Sequence, residues 1–190
     1  LALAVGAARE SGLVRPVNVA LVDNSEDRAT AAKAIALVKT RFADSGVQLS
    51  FVHGHANIGY GAAHNLVLHG SGADFHLVLN PDVELAPDAL VNAVRWMNAH
   101  PDVVAIAPQV KRRDGTLDYL AKRKPAVLDL ALRGFLPRVG RLLFRGRLDR
   151  YEMRDVIDAD PARDIVDIAA MSGACMLVRR KAIDQTGGFD

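Results

Sequence analysis

The sequence has little cysteine and no long apolar segment. Its 190 residues include one cysteine, Cys175, so an internal disulfide and a cysteine-rich zinc module are both excluded. No apolar run approaches the roughly 20 residues that a membrane-spanning helix needs, and residues 1–8 lack the basic flank of a signal peptide. Because 50% of the residues are hydrophobic and 24% are charged, a disordered, collagen-like or coiled-coil chain is excluded as well. We therefore expect a single soluble or at most peripheral domain in a reducing compartment.

Basic residues are concentrated in one part of the chain. Residues 111–150 contain 12 of the 24 Lys and Arg residues but only 4 of the 22 Asp and Glu residues. This segment therefore carries a net charge of +8, whereas the whole chain carries +2. It could bind phosphate, nucleic acid or an anionic membrane surface, or it could be a solvated basic face of the protein.

The hydrophobic pattern alternates between strand-like and helix-like segments. It predicts strands at 16–22, 47–52, 75–79 and 103–107, with helices at 26–42, 60–69 and 87–99. Such alternation indicates an α/β fold with a mostly parallel sheet and helices on both faces. After Val110 the pattern predicts a hairpin turn at Asp114-Gly115, a helical segment at 125–144, strands at 164–170 and 174–178, and a helix at 181–186.

Polar residues follow three of the predicted strands. They are Asp23-Asn24-Ser25, residues 53–57 and Asn80-Pro81-Asp82. Ligands of parallel sheets bind at the carboxyl ends of the strands, so these residues form the candidate site. Asp23 could accept a hydrogen bond from a base or a ribose, and Asp82 suits a hard divalent cation bridging to phosphates. A structural interpretation stays open, with Asn24-Ser25 as a helix cap and Asn80-Pro81-Asp82 as an Asx turn.

Two glycines, Gly59 and Gly61, lie at the start of the helix predicted at 60–69. Glycines at such a position let backbone N–H groups approach a pyrophosphate. The third position of a dinucleotide fingerprint is His64 instead of glycine, so a nicotinamide-binding enzyme is not favoured. His53 and His55 form a His-x-His pair, but zinc would need further ligands and no cysteine lies near them.

Five short motifs occur in a specific order along the chain. They are Val-Asp-Asn-Ser at 22–25, Asn-Ile-Gly-Tyr-Gly at 57–61 with Asn65, Leu-Asn-Pro-Asp-Val-Glu-Leu at 79–85, Ser-Gly-Ala-Cys-Met-Leu-Val-Arg-Arg at 172–180 and Gly-Gly-Phe-Asp at 187–190. This order resembles family 2 glycosyltransferases of the GT-A fold, from Leu1 to Asp190. Within them, Arg-Lys-Pro at 123–125 and Tyr-Glu-Met-Arg-Asp at 151–155 are similar to the bacterial rhamnosyltransferase branch.

The resemblance implies a donor site for a nucleotide sugar. Asp23 is similar to the acidic residue that contacts the nucleotide base or ribose. Asn57, Gly59 and Tyr60 are similar to the donor-side loop of the family. The fold implied is a GT-A-like, Rossmann-related α/β domain with a short antiparallel and helical excursion.

The resemblance also implies a metal and a second pocket segment. Asp82 is similar to the last Asp of the DxD metal motif, whose first position is Asn80 here, so Mg²⁺ or Mn²⁺ is the expected cofactor. Ser172, Gly173 and Ala174 are similar to the segment that lines the donor-sugar and acceptor pocket.

The implied function is an inverting, metal-assisted sugar transfer in bacterial cell-surface polysaccharide biosynthesis. The donor expected first is dTDP-rhamnose, with a UDP-sugar as the other option, and the acceptor is a polysaccharide or a lipid-linked saccharide. Residues 1–110 would form the nucleotide-sugar-binding half of the single domain, and residues 111–190 the acceptor-side half. Two alternatives remain open, a sugar-1-phosphate nucleotidyltransferase and a non-catalytic nucleotide-binding module.

The basic segment 111–150 would then meet an anionic partner other than nucleic acid. Five of its arginines could face the diphosphate of a lipid carrier or the inner face of the cytoplasmic membrane. They are Arg133, Arg138, Arg141, Arg145 and Arg147.

The family's first strand is expected before Leu1 and its general base after Asp190. We therefore expect residues 1–190 to be a truncated, cytoplasmic enzyme domain without activity of its own.

Overall fold

The structure, a computed structural model, describes residues 1–14, 16–124, 144–160, 164 and 168–190. These residues form two compact units, one made of Leu1–Ile106 and Leu177–Asp190 and the other of Ala107–Met176. The assignment of one half to nucleotide-sugar binding and the other to the acceptor stays a prediction. No helix in these described ranges is both long and apolar enough to cross a membrane.

The first unit alternates helices and strands along the chain. Its elements are α1 (Ala2–Glu10), β1 (Asn18–Val22), α2 (Arg28–Arg41), β2 (Gln48–Val52), α3 (Tyr60–Leu68), β3 (Phe75–Leu79), α4 (Ala89–Ala99), β4 (Ala105–Ile106), the end of β9 (Cys175–Arg179) and α7 (Arg180–Thr186). The predicted strands and helices of this unit are confirmed, with shifted ends. Helix α1 was not predicted, because its alanine-rich sequence carries no capping residue and no polar face.

The second unit contains the hairpin and the short helices. Its elements are β5 (Val110–Lys111), β6 (Leu117–Asp118), β7 (Ala121–Lys122), α5 (Arg145–Tyr151), α6 (Arg154–Ile157) and β8 (Ala170–Met171). Strands β5 and β6 are antiparallel, with Val110 opposite Asp118, which confirms the predicted hairpin. The helix predicted at 125–144 lies outside the described residues except for Phe144. Of the strand predicted at 164–170, Ala170 alone among the described residues lies in a strand.

The strands pair in several small sheets. Strands β1 and β2 are parallel, with register from Asn18 opposite Gln48 to Val22 opposite Val52. The largest sheet of the described residues has the order β3-β9-β4, and β4 runs antiparallel to β9. The α/β character is therefore confirmed, but a single, mostly parallel sheet is not. The apolar pattern of β9 predicts a buried strand without specifying that it lies between β3 and β4.

A buried apolar cluster of the first unit includes residues of α1 and α4. Ala4, Val5 and Ala8 of α1 are buried together with apolar residues of α4 such as Val94 and Met97. Burying a Val or Met side chain contributes about 1.5–3 kcal/mol, so this packing holds α1 and α4 together.

Arg179, the last residue of β9, holds the C-terminal end of α4. Its Nη2 donates to the carbonyl oxygens of Met97 at 2.7 Å and His100 at 3.2 Å, and its Nε donates to that of Val103 at 3.0 Å. The last carbonyls of a helix have no partner inside the helix and favour a positive charge. The carbonyls of Met97 and His100 also accept backbone N–H groups, those of His100 at 3.2 Å and Val103 at 3.1 Å, so Arg179 adds a charged donor to the turn that ends α4.

Arg180 does the same for α3. Its Nη1 donates to the carbonyl oxygen of Leu68 at 2.8 Å and to that of Ser71, while its Nε pairs with Asp184 at 2.7 Å. The two arginines of the motif at 172–180 thus fix α3 and α4 against the end of β9.

Candidate functional site

The carboxyl ends of β1 and β2 lie side by side. The backbone N–H of Asp23 donates to the carbonyl oxygen of Val52 at 2.8 Å, which extends the parallel pairing by one bond. The Oδ1 atom of Asp23 accepts from the backbone N–H of Ser25 at 3.2 Å and from its hydroxyl at 2.7 Å. Asp23 is thereby fixed in an Asx turn at the strand end, and its contact to a base or ribose stays a prediction.

The structural interpretation of Asn24-Ser25 as the cap of α2 is wrong. The N-cap residue is Asp27, whose Oδ1 accepts from the backbone N–H groups of Ala29 at 2.9 Å and Thr30 at 3.3 Å. The Thr30 hydroxyl also donates to Asp27 at 2.6 Å, and these hydrogen bonds lower the pKa of Asp27. Asn24 is therefore not needed at the helix and makes other contacts.

The side-chain amide of Asn24 fixes the loop before α3. Its Nδ2 donates to Asn57 Oδ1 at 3.1 Å and to the carbonyl oxygen of Gly59 at 3.2 Å. Its Oδ1 accepts from the backbone N–H of Ile58 at 3.0 Å. The sequence marked Asn24 as one of the strand-end polar residues but gave it no role in the donor loop, since these partners lie more than 30 residues away.

Gly59 forms the N-terminal boundary of α3. Its φ of +90° favours glycine, its N–H donates to Asn57 Oδ1 at 3.0 Å, and no side chain caps the helix. Residues 57–60 are exposed, so the loop and the first residue of α3 are open to solvent. The N–H groups of Ile58 and Gly59 already donate to Asn24 and Asn57, so the N–H groups at the start of α3 are the ones that could receive phosphate oxygens.

Tyr60 connects this loop to the end of β3. Its hydroxyl donates to Asn80 Oδ1 at 3.2 Å, and partial desolvation raises the pKa of Tyr60 above its ordinary value. The predicted turn after β3 is confirmed, but it is closed by the Asn80 carbonyl, which accepts from the backbone N–H of Val83 at 3.2 Å. The side chain of Asn80 therefore binds Tyr60 instead of forming the Asx turn that the alternative required.

Asp82 is an exposed carboxylate in this turn. It forms neither a hydrogen bond nor an ion pair with any described residue, so its oxygens are free to bind a cation. Within the described ranges no three His, Cys, Asp or Glu residues are grouped so that they could hold a metal ion. A cation at Asp82 would thus take its other ligands from a bound phosphate and from water, as Mg²⁺ commonly does.

Ser172, Gly173 and Ala174 lie in the second unit, in the half-buried turn between β8 and β9. The backbone N–H of Ser172 donates to the carbonyl oxygen of Leu120 at 2.9 Å, and that of Ala174 donates to Ser172 Oγ at 3.3 Å. The role of this segment in a sugar pocket stays a prediction.

The structure thus brings together some of the predicted site residues. Asn57 and Gly59 are joined through Asn24, and Tyr60 is joined to Asn80. Asp23 follows β1 and Asp82 follows β3. Neither aspartate forms a direct hydrogen bond with the side chains of these joined residues.

The sequence matches the family model described as Glycosyl transferase family 2 over residues 13–187. Two curated relatives, from Mycobacterium tuberculosis strains CDC 1551 / Oshkosh and ATCC 25618 / H37Rv, are each named N-acetylglucosaminyl-diphospho-decaprenol L-rhamnosyltransferase. Each is 30% identical to this chain over 196 residues, which cover 93% of this chain and 56% of the relative. The chain therefore spans about half the length of these relatives. No solved structure matches it significantly. Because the family model covers most of the chain, and the resemblance to rhamnosyltransferases is confirmed, this chain belongs to glycosyl transferase family 2.

Proposed function

We propose that the protein containing this chain transfers L-rhamnose from a nucleotide sugar to a lipid-linked saccharide. The donor that we expect first is dTDP-rhamnose, and a UDP-sugar is the second option. The names of the two relatives support rhamnose as the sugar and a diphospho-lipid as the acceptor. The observation that carries the proposal is the loop at 57–59, which Asn24 holds at the carboxyl ends of the strands, directly before the open N-terminus of α3.

The donor would bind along this edge. The N–H groups at the start of α3 would receive the diphosphate, because a helix N-terminus favours negative charge. Asp23, held by Ser25, would accept a hydrogen bond from the base or the ribose. Asn24 would contribute by fixing the loop before the donor arrives, which lowers the ordering cost of binding.

Asp82 would hold a divalent cation, Mg²⁺ or Mn²⁺. Its exposed carboxylate has no partner among the described residues, whereas the amide oxygen of Asn80 is occupied by Tyr60. When bound, the cation would neutralise charge that develops on the leaving nucleoside diphosphate.

The transfer would invert the configuration at the anomeric carbon. The acceptor hydroxyl would attack from the face opposite the leaving diphosphate and lose its proton to a carboxylate base. We place this base in sequence beyond Asp190, as the family resemblance implies. Of the basic residues proposed to face the lipid carrier, Arg145 and Arg147 are described and exposed, and Arg145 pairs with Asp149 at 3.5 Å.

Calorimetric titration of the full natural chain with dTDP and UDP, with and without Mg²⁺ or Mn²⁺, tests the donor site. We expect dTDP to bind only with the cation, and Asp82→Asn to abolish the effect of the cation. Asp102→Asn, an exposed carboxylate beyond α4, is the matched control and should bind as the wild type does. Binding that ignores the cation would contradict the role of Asp82, and a chain that binds neither nucleotide would contradict the proposed function.

A further inference from the structure

The segment Gly187–Asp190 is attached to α3 by the side chain of Asn65. Asn65 Nδ2 donates to the carbonyl oxygen of Phe189 at 2.7 Å, and the backbone N–H of Phe189 donates to Asn65 Oδ1 at 2.9 Å. Both residues are half-buried, and they are 124 positions apart. One carboxamide thus binds both backbone groups of a single residue, which fixes the position and the direction of the segment.

Two glycines allow this close approach. A Cβ atom on Gly61 would lie 2.5 Å from the carbonyl oxygen of Asp190, and a Cβ atom on Gly188 would lie 2.5 Å from Asn65 Oδ1. Real Cβ atoms do not come this near to other heavy atoms. Gly61, in the first turn of α3, is therefore required by the packing of the segment whatever ligand binds near Gly59.

A chain of aromatic contacts connects the segment to the donor loop. The Phe189 ring meets His64 edge to face, with ring centroids 6.1 Å apart, and His64 meets Tyr60 in the same way at 4.6 Å. Tyr60 in turn binds Asn80. The residues of α3 that hold the segment thus continue directly into the loop that we assign to the donor.

We propose that Asn65 is a positioning residue for sugar transfer, which holds Gly187–Asp190 beside the donor loop. This inference rests on the proposed function. Asn65 itself binds the segment and none of the donor-loop residues, so its loss should slow turnover far more than it weakens donor binding.

Asn65→Asp is the direct test in the full natural chain. The variant keeps the acceptor for the Phe189 N–H but places a carboxylate oxygen where the carbonyl of Phe189 now receives a donor. We expect amide hydrogen exchange in residues 187–190 to become at least tenfold faster and kcat to fall at least tenfold. The KM for dTDP-rhamnose should change less than threefold. Asn98→Asp, an exposed asparagine of α4, is the matched control and should leave all three quantities unchanged.

Gly61→Ala separates positioning from folding. Alanine favours a helix more than glycine does, so a role in helix stability alone predicts an unchanged or more stable protein. We expect instead faster exchange in residues 187–190 and a lower kcat. Gly6→Ala in α1, where an added Cβ has nothing within 4 Å, should show neither effect.

The proposal is overturned if Asn65→Asp and Gly61→Ala keep wild-type exchange in residues 187–190, or if they keep wild-type kcat. It is also overturned if the KM for the donor rises as much as kcat falls. A wild-type protein that binds no nucleotide and transfers no sugar would refute the proposed function and, with it, this role. The two failures are therefore distinguished by the behaviour of the wild type.

Discussion

Replacing Asn24 by aspartate tests whether a preformed loop creates the donor site. In Asn24→Asp the acceptor for the Ile58 N–H is retained. The amide donor is lost, and an anionic oxygen then faces two acceptors, Asn57 Oδ1 and the carbonyl oxygen of Gly59. The loop before α3 should therefore lose its fixed conformation, while β1 and β2 stay paired through the bond from Asp23 to Val52.

The size of the effect follows from the two hydrogen bonds removed. Each contributes about 0.5–1.5 kcal/mol net, and both are exposed, so we expect a loss of about 1–2 kcal/mol of donor affinity. Since 1.4 kcal/mol corresponds to a factor of ten, the Kd for dTDP should rise roughly five- to thirtyfold. The midpoint of thermal unfolding should fall by less than about 4 °C, because the change lies in a surface loop.

Calorimetric titration with dTDP and the cation, together with a thermal melt, measures both quantities. Asn98→Asp introduces the same charge on α4 and should keep the wild-type Kd. If Asn24→Asp binds dTDP as tightly as the wild type does, the loop does not act through its fixed conformation and the reasoning is refuted. A large fall in the melting midpoint would instead show that Asn24 stabilises the fold.

Two further predictions concern stability. Arg179→Met should lower the unfolding free energy by about 2–4 kcal/mol, because the carbonyl oxygens of Met97, His100 and Val103 lose a charged donor. Urea denaturation beside the exposed control Arg113→Met measures the loss. Burial, with His64 and Arg180 nearby, lowers the pKa of His76 to about 4, whereas an unfolded histidine titrates near 6.5. The unfolded state therefore binds the proton first, so stability should be constant above about pH 7 and fall by about 2–3 kcal/mol between about pH 6.5 and 4. The dependence should flatten in His76→Gln, and an unaltered profile in that variant would contradict the assignment.

The sequence was most informative where local patterns decide the structure. Strand β3 occupies the predicted residues 75–79, because a short apolar run between polar turns has few other conformations. Helix α7 ends at Thr186 and is capped by Gly187, whose φ is +79°, as the glycine pair predicts. The exposed carboxylate of Asp82 could likewise be anticipated, because Pro81 ends the strand directly before it.

The parts that could not be predicted depend on contacts between distant residues. The hydrogen bonds of Asn24 cross about 33 positions and those of Asn65 cross 124, and no local pattern specifies such partners. Gly61 illustrates the difficulty. Its sequence context pointed to a phosphate, whereas the structure shows the backbone of Asp190 beside it. The position of β9 between β3 and β4 depends on which strands pair with each other, and hydrophobic patterning does not determine this.

Transfer of labelled rhamnose tests the central claim most directly. The full natural chain would be incubated with dTDP-rhamnose, a divalent cation and an N-acetylglucosaminyl-diphospho-lipid, and the lipid product would be extracted and its anomeric configuration determined. We predict labelled lipid with inverted configuration, which disappears without the cation and in Asp82→Asn. Absence of labelled lipid from the folded full natural chain would contradict the assignment of rhamnosyl transfer.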